Sequence, residues 1–306
     1  MGLEVDHPYN LAHRSRSGAF AGASPRGVRT VVDAHVHVAT LAGLKVAGGQ
    51  WRAGFTAGDV PDLYDPDGRP RPDVFAAYLA GEGVDRALLF AEYSPRVTGW
   101  QRIEDLLPFA EHDPGRFALV ANVNPHVHYP VLAEARRQLA LGAVAVKLHP
   151  VHGGFPMDLP ELYPLYGHCE AAGIPIIVHA GTSNFPGARN RYASLDHLVD
   201  VVRDFPGCPF VLAHGGRGWS YDTAAVLTLT YDNVWIDIAG LPPHRLPDYY
   251  ARHSLPRLAR RFVFGSDWPG VPGIARNLAA VRALDLPADV TDLILTGNAH
   301  RLYRLS

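Results

Sequence analysis

Lysine is nearly missing from this sequence. Of 28 lysines and arginines among 306 residues, only Lys45 and Lys147 are lysine. Such a bias reflects base composition, so a lone arginine says little, whereas a lysine kept inside an apolar run says more. Cysteine is just as scarce. Two residues, Cys169 and Cys208, exclude a disulfide framework and fit a reducing cytoplasm. No apolar run approaches the roughly 18 residues of a membrane helix. A formal net charge of −2 leaves no basic surplus for nucleic acid. The first 30 residues carry Arg14, Arg16, Arg26 and Arg29 and lack the apolar core of a secretory signal, so they read as a mobile N-terminal tail. Residues 31–306 read as one domain, because no break in composition divides them.

Short β-branched runs are plentiful. Eight occur: VVDAHVHV from Val31, RALLFAE from Arg86, FALVANVN from Phe117, AVAVKLHP from Ala143, IPIIVHAG from Ile174, PFVLAHGG from Pro209, VWIDIAG from Val234 and FVFGSDWP from Phe262. Amphipathic stretches lie between them, as at Val131 to Leu141, Leu162 to Ala172, Leu195 to Phe205 and Ile274 to Leu284. Eight β-α units of this size predict an α/β fold, a (β/α)8 TIM barrel. An open doubly wound sheet is disfavoured, because no glycine-rich phosphate turn follows the first run. The long connections Ala39 to Arg71 and Gly181 to Ser194 would lie over the C-terminal mouth, where barrel enzymes build their sites.

Side chains alternate along a strand. In the fourth run Val144, Val146 and Leu148 form one face, and Ala143, Ala145, Lys147 and His149 the other. The aliphatic face suits packing under helices, so Lys147 is expected to point into the barrel. His35 and His37 share a face of the first run, and His179, His214 and Asp267 close the fifth, sixth and eighth. Asp237 and Asn122 are further polar residues in apolar runs. Brought together in a barrel, His35, His37, Lys147, His179, His214 and Asp267 would make a metal site, whose neutral imidazoles and carboxylate suit zinc and also Mn2+, Fe2+ or Co2+. Such an ion lowers the pKa of a bound water to about 7. Lys147 has three readings: a carbamate bridging two metals, an ammonium holding a substrate, or a member of a buried ion pair.

The set DAHVH, VKLHP, IVHAG, LAHGG, FGSDWP and GNAHRLY resembles the amidohydrolase superfamily. More narrowly it resembles the amidohydrolase-related branch that includes the aminocarboxymuconate-semialdehyde decarboxylase type, over about Val31 to Leu305. The resemblance implies a metal-dependent barrel with His35, His37, His179 and Asp267 as ligands. His214 would act on substrate and water or bind a second metal. One ion is commoner in this branch than two, and Lys147 stands where binuclear relatives carry a carboxylated lysine. Some decarboxylases of the branch have Glu at the position of His35, which favours a different subgroup here. The expected activity is hydrolysis of a C–O or C–N bond in a small cyclic or carboxylated molecule, with Asp267, His214 and Lys147 catalytic. Non-oxidative decarboxylation of an aromatic or dienoic acid is the alternative, and a metal-dependent ligand trap the remote one. Lys147, His149, Arg217 and Trp268 are candidate substrate contacts, with His152, Arg189, Arg191, Trp51 and Trp219 behind them. His126 and His128 read as mouth-loop residues. A homodimer is expected from the resemblance alone.

Overall fold

The computed structural model describes residues 30–45, 53–55, 60–270 and 273–305. The tail expected over residues 1–30 therefore lies, apart from Thr30, outside the described residues, as does Trp51. Among the described residues ten strands form: β1 Val32–Val36, β2 Arg86–Phe90, β3 Glu92–Ser94, β4 Gly99–Gln101, β5 Phe117–Asn122, β6 Ala143–Leu148, β7 Ile176–Gly181, β8 Phe210–Arg217, β9 Val234–Asp237 and β10 Phe262–Val263. Eight of them pair in the order β1-β2-β5-β6-β7-β8-β9-β10, all parallel. Ala34 N–H to Phe264 O, His37 N–H to Trp268 O and Asp267 N–H to His35 O, each 2.9 Å, close the sheet into the expected TIM barrel. These eight strands are the eight apolar runs.

Two hydrophobic layers explain why the runs are apolar on both faces. Leu89, Leu119, Val146, Leu148, Val178, Leu212 and Ile236 pack outward under the helices. Val32, Leu88, Phe90, Val120, Ala145, Ile177, Val211 and Val263 fill the barrel. Alternation breaks once where it was expected to hold. Leu119 pairs with Ala143 and Val120 with Ala145, which leaves Val144 on a bulge, packed with the interior layer rather than beside Val146. A second irregularity in β1, between Asp33 and Val36, turns His35 into the barrel mouth. Helices Val131–Ala140, Tyr163–Ala172, Asp196–Asp204 and Ile274–Arg282 fall within two residues of expectation. The antiparallel hairpin β3–β4 was not expected. It rises from the end of β2 and places Glu92 at the mouth.

Candidate active site

Every polar residue singled out at a strand end arrives at the C-terminal mouth. One small cavity is lined by His35, His37, Lys147, His149, His179, His214, Arg217 and Asp267. Two of these residues are held in the left-handed region, His214 at φ 69° and Asp267 at φ 66°. A non-glycine residue there costs about 1–3 kcal/mol, and such strain collects where function requires an orientation. Gly240, at φ 65°, lets the backbone approach them. A Cβ on it would lie 2.6 Å from Asp267 Oδ2 and 2.8 Å from Arg217 Nη1.

His35, His37 and Asp267 present donor atoms that all lie within 4.8 Å of one another. Asp267 Oδ1 is 3.6 Å from His35 Nε2 and 3.7 Å from His37 Nε2. His35 Nδ1 lies 2.6 Å from Asp237 Oδ2, and Asp237 Oδ1 accepts the Ala239 N–H at 2.8 Å. Burial pushes the Asp237 carboxyl up, while the Ala239 N–H and the Lys147 charge oppose it. Either way one proton lies between Nδ1 and Oδ2. Held on Nδ1, it leaves the His35 Nε2 lone pair facing the cavity, the second-sphere arrangement that orients a metal-binding imidazole. His214 Nδ1 donates to Ala239 O at 2.8 Å, so its Nε2 is the nitrogen with the lone pair. Burial lowers His35, His179 and His214 well below the usual imidazole range and His37 to about 4, so these rings are neutral. Burial raises Asp267 to about 6 against the pull of Arg217 and Lys147.

These residues fit a divalent ion. His35 Nε2 and His179 Nε2 are buried without a hydrogen-bond partner. An orphaned buried group of this kind costs about 1–3 kcal/mol, which a ligand would relieve. Neutral imidazoles with one carboxylate form a donor set for zinc, manganese, iron or cobalt. His179 lines the cavity but stands outside the tight group of three. Its ring lies 4.5 Å from that of His214 and 3.9 Å from that of His149.

Lys147 is fully buried, with Nζ 5.1 Å from the centre of the Phe90 ring. Burial lowers its pKa, and the charges of Asp237, Glu92 and Asp267 oppose the shift. His149 caps the short helix Pro150–Gly153 by accepting the His152 N–H at Nδ1. Burial keeps its ring neutral, so its Nε2 carries the proton and can donate to a substrate. Arg217 donates to Thr182 O at 3.1 Å and lines both the inner cavity and an outer pocket. The inner space, about 50 Å³, has room for a few waters. The outer pocket, about 480 Å³, has room for a small ring molecule.

Other expectations meet a different outcome. Trp268 does not reach the cavity. With Asp267 turned inward, Trp268 points away and packs against Phe75 at 4.8 Å, Phe55 at 5.8 Å and Tyr78 at 6.0 Å. Trp219 is 68% exposed on another part of the surface. Asn122 Oδ1 accepts the Tyr93 N–H, a structural role. His126, His128, Arg189 and Arg191 line neither space. Glu92 and Ser183, absent from the sequence reading, do line the cavity. Burial alone would raise Glu92, yet His152, His37 and Ser94 hold it at about 2. Glu92, His149 and His152 form a second group of donors within 4.8 Å. The DxHxH and HP patterns carry no signal for either residue, because both arrive on connections. Cys169 and Cys208 are buried free thiols, and no described helix is long and apolar enough to cross a membrane.

Solved structures share this architecture. An uncharacterized TIM-barrel protein from Bordetella bronchiseptica is 22% identical, over 90% of this chain and 99% of its own, with a TM-score of 0.72. A probable 2-pyrone-4,6-dicarboxylic acid hydrolase from Acinetobacter baumannii is 17% identical, over 90% and 99%, at 0.61. A dihydroxybenzoic acid decarboxylase from Polaromonas sp. JS666, with bound manganese and an inhibitor, is 16% identical, over 91% and 98%, at 0.66. A comparison with curated proteins finds no match. The sequence profile of the Amidohydrolase family matches residues 32–305, from the first barrel strand to just past the last described helix, Asn298–Tyr303, and the chain belongs to that family.

Proposed function

We propose that this amidohydrolase-family enzyme is a metal-dependent hydrolase that cleaves a C–O or C–N bond in a small cyclic or carboxylated molecule. The supporting observation is the convergence of the His35, His37 and Asp267 donors within 4.8 Å, in a cavity shared with His179, His214 and Lys147. His35, His37, His179 and Asp267 would hold one divalent ion, zinc or manganese in the first instance. When bound, it supplies Lewis acidity and a water that ionises near neutral pH. The chain's own groups do the rest. Asp267 accepts a proton at its carboxylate and returns it to the leaving atom. Lys147, as an ammonium, holds the substrate's carbonyl oxygen as charge grows on it. His214 Nε2 acts as acceptor or ligand, because its single proton is committed to Ala239 O. Of the two roles the resemblance implies for it, action on substrate and water is thereby narrowed to accepting a proton or hydrogen bond at Nε2. The substrate body would occupy the outer pocket, with the Arg217 guanidinium on its carboxylate, and the His149 Nε2–H would donate to the part that enters the inner cavity.

Decarboxylation is the second reading, favoured by the two cations, Lys147 and Arg217, that could seat a carboxylate on the cavity wall. A screen of lactones and cyclic amides against hydroxybenzoates, read for ring opening and for CO2, separates the two. Ring opening without CO2 supports the hydrolase; CO2 from any acid, with no lactone opened, overturns it. Asp267→Asn should lower turnover by about 10²–10⁴-fold, as for loss of a general acid–base group. A substrate bound but never turned over by the wild type would instead mean a ligand trap.

A further inference from the structure

Across the cavity from Asp267, three side chains that the proposed hydrolysis does not use form a connected line. Ser183 Oγ is 2.9 Å from His152 Nε2, and His152 Nδ1 is 3.3 Å from Glu92 Oε1. All three residues are buried, and all three line the cavity. Their protons can be placed. Ser94 Oγ donates to Glu92 Oε1 at 2.6 Å and Thr98 Oγ1 at 3.3 Å, so the carboxylate is an acceptor held in position by two hydroxyls. The His152 proton is then on Nδ1, and Nε2 offers its lone pair to the Ser183 hydroxyl. Ser183 Oγ also accepts the Phe185 N–H at 3.3 Å, which leaves an oxygen lone pair free for the open side. Ser183 faces the outer pocket as well as the inner one.

We propose that Glu92, His152 and Ser183 form a second, metal-independent acyl-transfer centre in the mouth of the barrel, with Ser183 Oγ the nucleophile toward small activated esters. The arrangement has the three roles that such chemistry needs: a nucleophile, a base within hydrogen-bond reach and a third group that orients the base. The Oγ–acyl bond forms as His152 Nε2 takes the hydroxyl proton. The ester C–O bond then breaks, and the leaving oxygen takes that proton from His152. A water reverses the steps and releases the acid. Arg217, which lines both spaces with Ser183, is the cation available to the acyl oxygen as it becomes negative.

A second metal site at Glu92, His149 and His152 competes for the same atoms. Two observations disfavour it. The His149 and His152 rings stack 3.6 Å apart at 14°, which sets their nitrogens side by side instead of converging on one point. The hydrogen bonds also leave few free lone pairs: His149 Nδ1 accepts a backbone N–H, and His152 has a partner on both nitrogens.

The test treats the full-length protein, as purified and again after a chelator, with an alkyl fluorophosphonate, followed by peptide mass spectrometry. Phosphonylation forms an Oγ–P bond and expels fluoride while His152 takes the proton. The expected result is an adduct on Ser183 at the same rate with and without chelator. The rate should fall by about a hundredfold in His152→Gln, as for loss of a general base. Glu92→Gln, of the same shape, should also slow it, and circular dichroism shows which variants are folded. Asp267→Asn should still label, which separates this centre from the proposed hydrolysis. No adduct on Ser183 of folded wild-type protein would overturn the proposal. So would an equal rate in folded His152→Gln, or labelling that appears only after chelation, since an ion would then normally hold the cluster.

Discussion

Replacing Asp237 by asparagine keeps the shape of a residue that lines neither cavity and replaces the oxygen beside His35 Nδ1 with an N–H donor. Asp237 Oδ2 is 2.6 Å from His35 Nδ1, and both side chains are 1% exposed. In Asp237→Asn the new amide would keep its oxygen on the Ala239 N–H and turn its own N–H toward His35 Nδ1. The ring must then carry its proton on Nε2, the nitrogen that faces His37 and Asp267, and the lone pair on the cavity side is lost. A hydrogen bond to a charged group contributes about 1.5–3 kcal/mol. At about 1.4 kcal/mol per factor of ten, that is roughly 10–150-fold in affinity. Loss of an outer partner of a metal ligand typically costs about 10–100-fold, in agreement. The assay is competition for zinc or manganese against a chromophoric chelator, on Asp237→Asn and wild type, with the melting temperature as a folding control. An affinity within about twofold of wild type in the folded variant would refute the assigned role of Asp237.

Other expectations are smaller in scope. Gly240→Ala forces a Cβ against Asp267 Oδ2 at 2.6 Å and an alanine at φ 65°; it should cost about 1–2 kcal/mol in stability and most of the turnover, and wild-type kinetics would contradict the close approach. Lys147→Arg puts a larger planar head into a fully buried slot beside Phe90; turnover should drop at least about tenfold, with the substituted chain still folded, and full activity would return Lys147 to a generic cation. Burial raises Cys169 from 9.0 to about 12. Between these values the unfolded thiol ionises and the folded one does not, so its contribution is intact below pH 9 and is lost as pH rises. Urea titrations across that window should lose up to about 1.4 kcal/mol per pH unit from this residue, a slope that Cys169→Ala removes.

The barrel was legible because eight apolar runs with helical spacers have few other ways to bury two faces. Ligand residues were legible because a histidine or aspartate at the end of an apolar strand has no cheap alternative to the mouth. Errors came where alternation failed. Val144 sits on a bulge, so period-two counting put it on the wrong face. Trp268 follows an aspartate at φ 66°, and that one reversal sends the indole into the core instead of the pocket. The Glu92–His152–Ser183 line was invisible for a different reason. Its members come from a hairpin, a one-turn helix and a long connection, separated by 60 and 31 positions. Only the folded connections bring them together, and no short spacing encodes that.

One metal site built from His35, His37, His179 and Asp267 underlies the proposed chemistry. The most direct measurement is the metal content per chain of protein purified without chelator, then reloaded with zinc or manganese, for wild type and Asp267→Asn. The expected result is about one tightly held ion per wild-type chain and a large loss of retention in the variant. A wild-type chain that retains no metal after loading, or an Asp267→Asn chain that retains as much as wild type, would contradict it.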